Sequence, residues 1–399
     1  MALTIKYNPV DYSSAHEDVL FVLLEDTKPF DSTTYPDYKY VCDIYIYGIL
    51  QARLKAFPRP DDKLGIFNIG NIVRNYLYTI FQPLPNQIIS QRLGENAFYV
   101  NVICRFGEEY GFTTYTNLIV DSQRSYFNHY NGRQFGTNTI LTSVLDKTMT
   151  NRPYATPVDI NSKFCFIPFL ASDDTTFQVQ VKCYNSNGLV RSVNYNVSPT
   201  TGSFNELQQI NLAPQNINAV SPGTIDGLVE YYTVTFNTTN IIDDTTLRFN
   251  LTCESKYDVW TIHFLNKYGG FESKDFSKVS RSTIDITKSN FGQSAYLVKN
   301  DGTVSRFDSS SNVYREQVAT YASVWNEKMQ LNSNFLTDSE YVWLSELIKS
   351  PLVYIEYNGY FFPINITNTN YENKKSINDH LTNLMLNIQF GENYNTQYR

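Results

Sequence analysis

Residues 336–366 read LTDSEYVWLSELIKSPLVYIEYNGYFFPINI, and this stretch decides the fold class. Thr337 and Glu340 have the spacing of a capping box, in which the Thr hydroxyl accepts the Glu N–H and the Glu carboxylate reaches back to the Thr N–H. Leu336 and Tyr341 stand where a hydrophobic staple fixes how the chain approaches the helix. Trp343, Leu344, Leu347 and Ile348 recur at helical spacing and form one apolar face. Lys349 suits the negative end of the helix dipole, and Ser350-Pro351 stops the helix. The spacing therefore predicts a helix over 338–349. Two β-rich runs, 352–357 and 360–366, flank Asn358-Gly359. A type I′ hairpin turn needs two residues at positive φ, which Asn-Gly supplies. A last strand is expected over 381–390, where Leu384, Leu386, Ile388 and Phe390 alternate with Asn383, Asn387 and Gln389. None of these residues is placed for catalysis; the stretch is scaffold.

The same period-2 pattern recurs upstream. Val179, Val181 and Cys183 alternate with Gln178, Gln180 and Lys182, and Asn185 to Gly188 turns that strand into 189–197. Strands are likewise expected over 100–106 and 247–253, and Asn300-Asp301-Gly302 joins 295–299 to 303–307. One further helix is expected over 69–80, where Ile69, Ile72, Val73, Tyr76, Leu77 and Ile80 follow helical spacing after an Asn68 cap. Short strands separated by turn signals imply a mainly β protein: several β-sandwich or barrel-like domains with a few short helices, one packed on a small C-terminal sheet. Polar stretches at 122–138, 198–221 and 305–312 read as linkers, and 198–223, long for a loop, as either functional or a mobile arm reaching a neighbour. The expected domains are 1–125 (β with one helix), 126–295 (a central β-sandwich) and 296–399 (α+β).

Composition narrows the function classes. The 399-residue chain carries 32 Lys and Arg against 39 Asp and Glu, a net charge of −7, and no basic run of the kind that tracks phosphates. Lys374-Lys375 and the Arg53, Lys55, Arg59 group read as solvated surface. Tyr and Phe are abundant, 31 and 26 residues, which suits pleated surfaces and interfaces; an AT-rich genome would enrich Tyr too, so the count alone proves no interface. Cys42, Cys104, Cys165, Cys183 and Cys253 are odd in number, widely spaced and without a C-x-x-C pair, so they read as small buried hydrophobes in a reducing compartment. The first residues lack a basic and an apolar region, so no signal peptide is expected, and the run 19–24 is far short of a membrane span. The sequons at Asn196, Asn237, Asn250 and Asn365 then read as chance.

The sequence carries no recognisable motif for chemistry. His16, His129, His263 and His380 form no zinc-hydrolase spacing; His263, inside an apparent strand, reads as a hydrogen-bonded structural residue and His129 as a loop residue. There is no G-x-S-x-G elbow and no phosphate-binding glycine loop; Gly269-Gly270 reads as a turn. Asp61-Asp62, Asp173-Asp174 and Asp243-Asp244 read as solvated turns, because neighbouring strand residues point oppositely and a calcium loop needs alternating ligands. No catalytic, cofactor-binding or metal-binding residue is assigned, no cofactor is expected, and the chain is expected not to be an enzyme.

The block 325–390, with its pattern Leu336-Thr337, Glu340, Trp343-Leu344, Glu346-Leu347, Ser350-Pro351 and then Pro363, Ile366, Asn368 and Tyr371, resembles the C-terminal block of tail-associated structural proteins of phages that infect Bacteroidetes, crAss-like phages among them. Residues 48–77 and 259–278 are similar in character. The resemblance implies a virion structural protein, made in the host cytoplasm and ending in the tail. It implies a symmetric homo-oligomeric ring in the neck or tail, against neighbouring tail or portal proteins, with DNA passing through the lumen without specific binding and with no membrane. A glycan-binding tail fibre or receptor-binding β-sandwich is the alternative.

Overall fold

A computed structural model gives the fold and describes residues 3–10, 13–28, 33–81, 83, 89–91, 99–111, 117–130, 147–171, 177–197, 206–238, 246–252, 255–308, 312–368, 382–391 and 394–398. The protein is mainly β, with several sheets and, among the described residues, three short helices. The chain divides into two compact units, each assembled from interleaved segments: 1–254 with 263–274 and 342–351, and 255–262 with 275–341 and 352–399.

The first unit holds two apolar cores. In the N-terminal core, strand Lys39–Ile46 runs between Ile49–Ala56 and Tyr99–Tyr110, and a separate sheet orders Thr4–Tyr7, Leu20–Leu24 and Leu64–Asn68. Phe21, Leu23, Cys42, Ile44, Val102, Cys104 and Phe106 are fully buried there. Gly65 is needed because a Cβ at that position would stand 2.3 Å from the Tyr40 ring. That ring is fixed in turn: its hydroxyl donates to the Lys63 carbonyl at 2.7 Å and accepts the Glu25 N–H at 3.0 Å.

The second core lies among a five-stranded sheet, in the order Ala155–Asp159, Thr246–Thr252, Tyr231–Thr238, Phe177–Asn185 and Gly188–Val197, and a four-stranded sheet containing Phe166–Ala171 and Glu206–Asn211. The expected alternation holds, with Val179, Val181 and Cys183 buried on one face. The hairpin from 177 to 197 and the strands around 100–106 and 247–252 also form as expected.

Three expectations are corrected. The helix expected over 69–80 is only Gly70–Arg74 (α1), followed by tighter turns in which Tyr76 and Leu77 donate to the carbonyls three residues back. The β-branched and aromatic side chains beyond Arg74 lose rotamer freedom in a helix, so the short turns prevail. Asn68 does act at its start, accepting the Gly70 N–H at 3.1 Å. The stretch read as a loop over 198–223 contains strand Glu206–Asn211 and helix α2, Pro214–Val220. Pro214 at the first helical position, where no N–H is needed, was the available signal. The linker read at 122–138 overlaps strand Asn117–Tyr130.

One sheet dominates the second unit. Its order is Phe271–Phe276, Trp260–Leu265, Val353–Tyr357, Tyr360–Ile366, Thr382–Phe390, Val318–Leu336 and Arg281–Gly292, with Tyr394–Tyr398 also on Val318–Leu336; the first two strands belong in part to each unit. The Asn-Gly turn forms as expected, at φ 53° and 82°. Helix α3, Asp338–Lys349, begins at the expected capping box: Thr337 N–H donates to Glu340 Oε2 at 3.0 Å and Glu340 N–H to Thr337 Oγ1 at 3.3 Å. Leu336 and Tyr341, the staple pair, are both buried.

Candidate functional site

The second unit carries an exposed arm. Strand Arg281–Gly292 pairs with one neighbour among the described residues, Val318–Leu336, and is exposed at every position except the half-buried Ser289. Ile284 is 55% and Ile286 59% exposed. A bulge at Ser289/Asn290 turns the pair, and the tip beyond it folds into two short hairpins, Leu297–Val298 with Val304–Ser305 and Phe307–Asp308 with Val313–Tyr314. Tyr296, Val298, Val304, Val313, Tyr314 and Val318 are exposed there. Exposed apolar side chains can mark a contact surface, and a strand edge left open by the described residues is a template for another chain. The edge is only partly blunted by charge: Asp285 pairs with Lys328 at 2.5 Å, leaving Arg281 and Lys288 on the strand.

Register shows that the arm's apolar side continues across the sheet. Ile284 stands opposite Glu327 and Ile286 opposite Trp325, so all four share a face. Met329 pairs with Ile388, Phe390 with Ile364, and Ile355 with Phe362, which carries the same face across to Tyr357. The face is buried at Leu331, Ile355, Leu386 and Ile388 and opens at its other end. There Trp260, Tyr357, Phe362, Phe390, Met329 and Glu327 line a cleft of about 400 Å³. The Trp260 and Tyr357 rings lie nearly parallel, 11° apart at 5.5 Å between centroids. Trp260 Nε1 donates to Ser280 Oγ at 3.2 Å, and Ser282 Oγ donates to Glu327 Oε1 at 2.9 Å.

The chain's unusual titrating groups lie elsewhere, enclosed in the first unit. Glu272 accepts from Trp343 Nε1 and from Asn266 Nδ2, both at 2.6 Å, and Asn266 also donates to the Met149 carbonyl at 2.6 Å. The Arg152 guanidinium sits 4.6 Å from the Trp343 ring and donates to the Ser273 carbonyl at 2.6 Å and to Cys165 Sγ at 3.2 Å. Burial pushes the Glu272 carboxyl up to about 7, against the opposing pull of Arg152. His263, wholly buried among Phe81, Phe164 and Phe166, lies 2.8 Å by Nδ1 from Ser273 Oγ, and burial brings its imidazole down to about 3. Enclosure of Glu272, His263 and Trp343 suits a fastening between distant segments of the first unit better than chemistry on a ligand. Sequence reading found His263 as a structural residue and Trp343 as a buried anchor. It set Trp343 against the sheet of 352–390, whereas its described contacts are with Phe264, Arg152 and Glu272. It missed Arg152 and Glu272: strand Phe271–Phe276 reads FESKDF, and nothing in so polar a run marks its carboxylate as buried.

Other residues singled out by sequence prove to be paired or structural. The Arg53, Lys55, Arg59 group is matched by acids: Arg53 grips Asp43 at 2.6 and 2.7 Å, Lys55 reaches Glu109 at 2.7 Å, and Arg59 reaches Asp61 at 3.3 Å. Cys42, Cys104, Cys165 and Cys183 are buried free thiols. Gly269-Gly270 closes a turn on Asn266, whose side-chain oxygen accepts the Tyr268 and Gly270 N–H groups. His16 donates its N–H to Ser14 Oγ. Strand Asn117–Tyr130 carries His129, which corrects its reading as a loop residue. His380, Asp173-Asp174, Asp243-Asp244, Lys374-Lys375 and Cys253 lie outside the described residues. Among the described residues no three His, Cys, Asp or Glu side chains gather as a metal would require, and no helix is long and apolar enough to cross a membrane.

No protein-family model matches this chain, and no curated protein matches it. Among solved structures, the full extracellular region of plexin A4 aligns with 62% of this chain at 11% identity and a TM-score of 0.18. The chain corresponds to 24% of that region's length, and so low a TM-score carries no argument about fold or function.

Proposed function

We propose that this chain is a structural protein of a tailed-phage virion, one subunit of a closed homo-oligomeric ring or barrel in the neck or tail, with no catalytic role. The observation that carries the reading is the arm: strand Arg281–Gly292 is exposed along nearly its whole length, bears Ile284, Ile286 and Phe291, and has one edge that pairs with no strand among the described residues. A contact between an arm and a different patch of the next copy is head-to-tail, and such contacts close into rings when the rotation allows. Addition of a strand at the open edge supplies main-chain hydrogen bonds, and the apolar side chains supply area. The net charge of −7 fits a lumen wall past which DNA moves without sticking. Resemblance of 325–390 to phage tail-associated proteins points the same way. Mass spectrometry of purified virions from the phage that encodes the chain tests the reading. The expected result is the chain in stoichiometric, symmetry-compatible copies; its absence from particles would overturn the proposal.

A further inference from the structure

The open end of the second unit's sheet carries a separate inference. Its cleft is lined by aromatic rings from four strands, Trp260, Tyr357, Phe362 and Phe390, together with Met329. Among the described residues charge enters at one point: Glu327 lines the cleft, and its described hydrogen bond is to the neutral Ser282 hydroxyl. Among the described residues no Lys or Arg of this chain is paired with that carboxylate. Its neighbour Lys328 turns to the other face and pairs with Asp285. A ring face attracts a cation through its quadrupole, and a carboxylate beside it supplies the counter-charge. A guanidinium answers both, stacking flat on a ring while its fork of N–H donors meets a carboxylate. The volume of about 400 Å³ is at the small end of ligand sites and suits one long side chain with its flanking backbone. A sugar would ask for several directed polar groups. Among the described residues the lining offers one carboxylate and one phenol, and the Trp260 N–H is already given to Ser280.

From this we infer that the cleft is a binding site for an arginine side chain presented by a partner protein, recognised by the Trp260 and Tyr357 rings and the Glu327 carboxylate. The net charge of −7 would draw such a partner from a distance. The site does not depend on ring formation and is tested separately from it.

The full chain labelled with 5-fluorotryptophan gives one fluorine signal each for Trp260, Trp325 and Trp343, and Trp260→Phe assigns the first. The probe is N-acetyl-arginine-N-methylamide, with the citrulline analogue as its neutral counterpart. A saturable shift of the Trp260 signal is expected with the arginine compound, at least fivefold weaker in Glu327→Gln and absent with citrulline. The Trp343 signal should stay in place. Tyr357→Ser, at a half-exposed position, gives a second variant that weakens binding while leaving the fold intact. No shift with arginine, or an equal shift with citrulline, overturns the inference. So does a Trp260 shift with maltotriose that survives Glu327→Gln, which would make the cleft a carbohydrate site.

Discussion

Truncating Trp343 to Ala should strongly destabilise the first unit. The side chain is 1% exposed, packs beside Phe264 at 5.8 Å between ring centroids and lies over the Arg152 guanidinium. Removing a buried Trp costs about 3–5 kcal/mol in lost contacts and cavity. Its N–H also donates to Glu272 Oε2 at 2.6 Å, and a buried acceptor stripped of its donor costs about 1–3 kcal/mol. The two terms overlap, so about 4 kcal/mol or somewhat more is expected, a large share of a typical 5–15 kcal/mol. At about 2–4 °C per kcal/mol for a large domain, melting should fall by roughly 10 °C. Trp343→Phe keeps one aromatic ring while losing the N–H and the second ring of the indole, so a smaller cost than that of Ala, about 1–3 kcal/mol, is expected. Calorimetry or urea titration of the full chain reads both. If Trp343→Ala melts within about 2 °C of the parent, the helix faces another way and the Arg152–Glu272–Trp343 fastening does not exist.

Two further outcomes follow from buried groups. The Glu272 carboxyl, at about 7 folded against about 4.5 ordinarily, is bound to its proton more tightly in the fold, so the stability it contributes is full below about 4.5 and is lost as pH rises through 7, by about 3 kcal/mol. His263, at about 3 folded against 6.5 ordinarily, works oppositely: its contribution is full above 6.5 and is lost as pH falls towards 3. Urea midpoints should therefore peak near pH 5–6, and Glu272→Gln should flatten the alkaline limb; an unchanged slope in that variant would refute the burial of this carboxyl. Gly65→Ala should cost stability in the N-terminal core, because its methyl would meet the Tyr40 ring at 2.3 Å; Gly65→Ala in a Tyr40→Leu background should cost much less, and equal costs in the two backgrounds would place the strain elsewhere.

Local chemistry was legible in the sequence, and long-range placement was not. Thr337, Glu340, Asn358 and Gly359 sit where neighbours within four residues decide the geometry, so cap and turn are fixed by residue type alone. The alternation at 177–183 likewise named the buried face, since a strand has only two. Strand Arg281–Gly292 shows why the same rule fails for function: Ile284 and Ile286 alternate with Asp285 and Thr287 like any half-buried strand, yet no layer of the described chain covers them. Exposure is decided by what packs above, and that is encoded elsewhere in the chain. Glu272 and Arg152 were invisible for a related reason, because their partnership joins residues 120 positions apart through Ser273, Asn266 and Trp343. Helix α2 was hidden by its polar sequence, with only Pro214 to mark its start.

The native mass of the full chain in solution tests the oligomer most directly. Native mass spectrometry should give one closed multiple of the 46.0 kDa subunit, and the double substitution Ile284→Asp, Ile286→Asp should reduce it to monomer with an unchanged melting temperature. These positions are exposed in the single chain, so the charges disturb an interface and not a core. A parent that stays monomeric at high concentration, or an oligomer indifferent to the two aspartates, would contradict assembly through the arm.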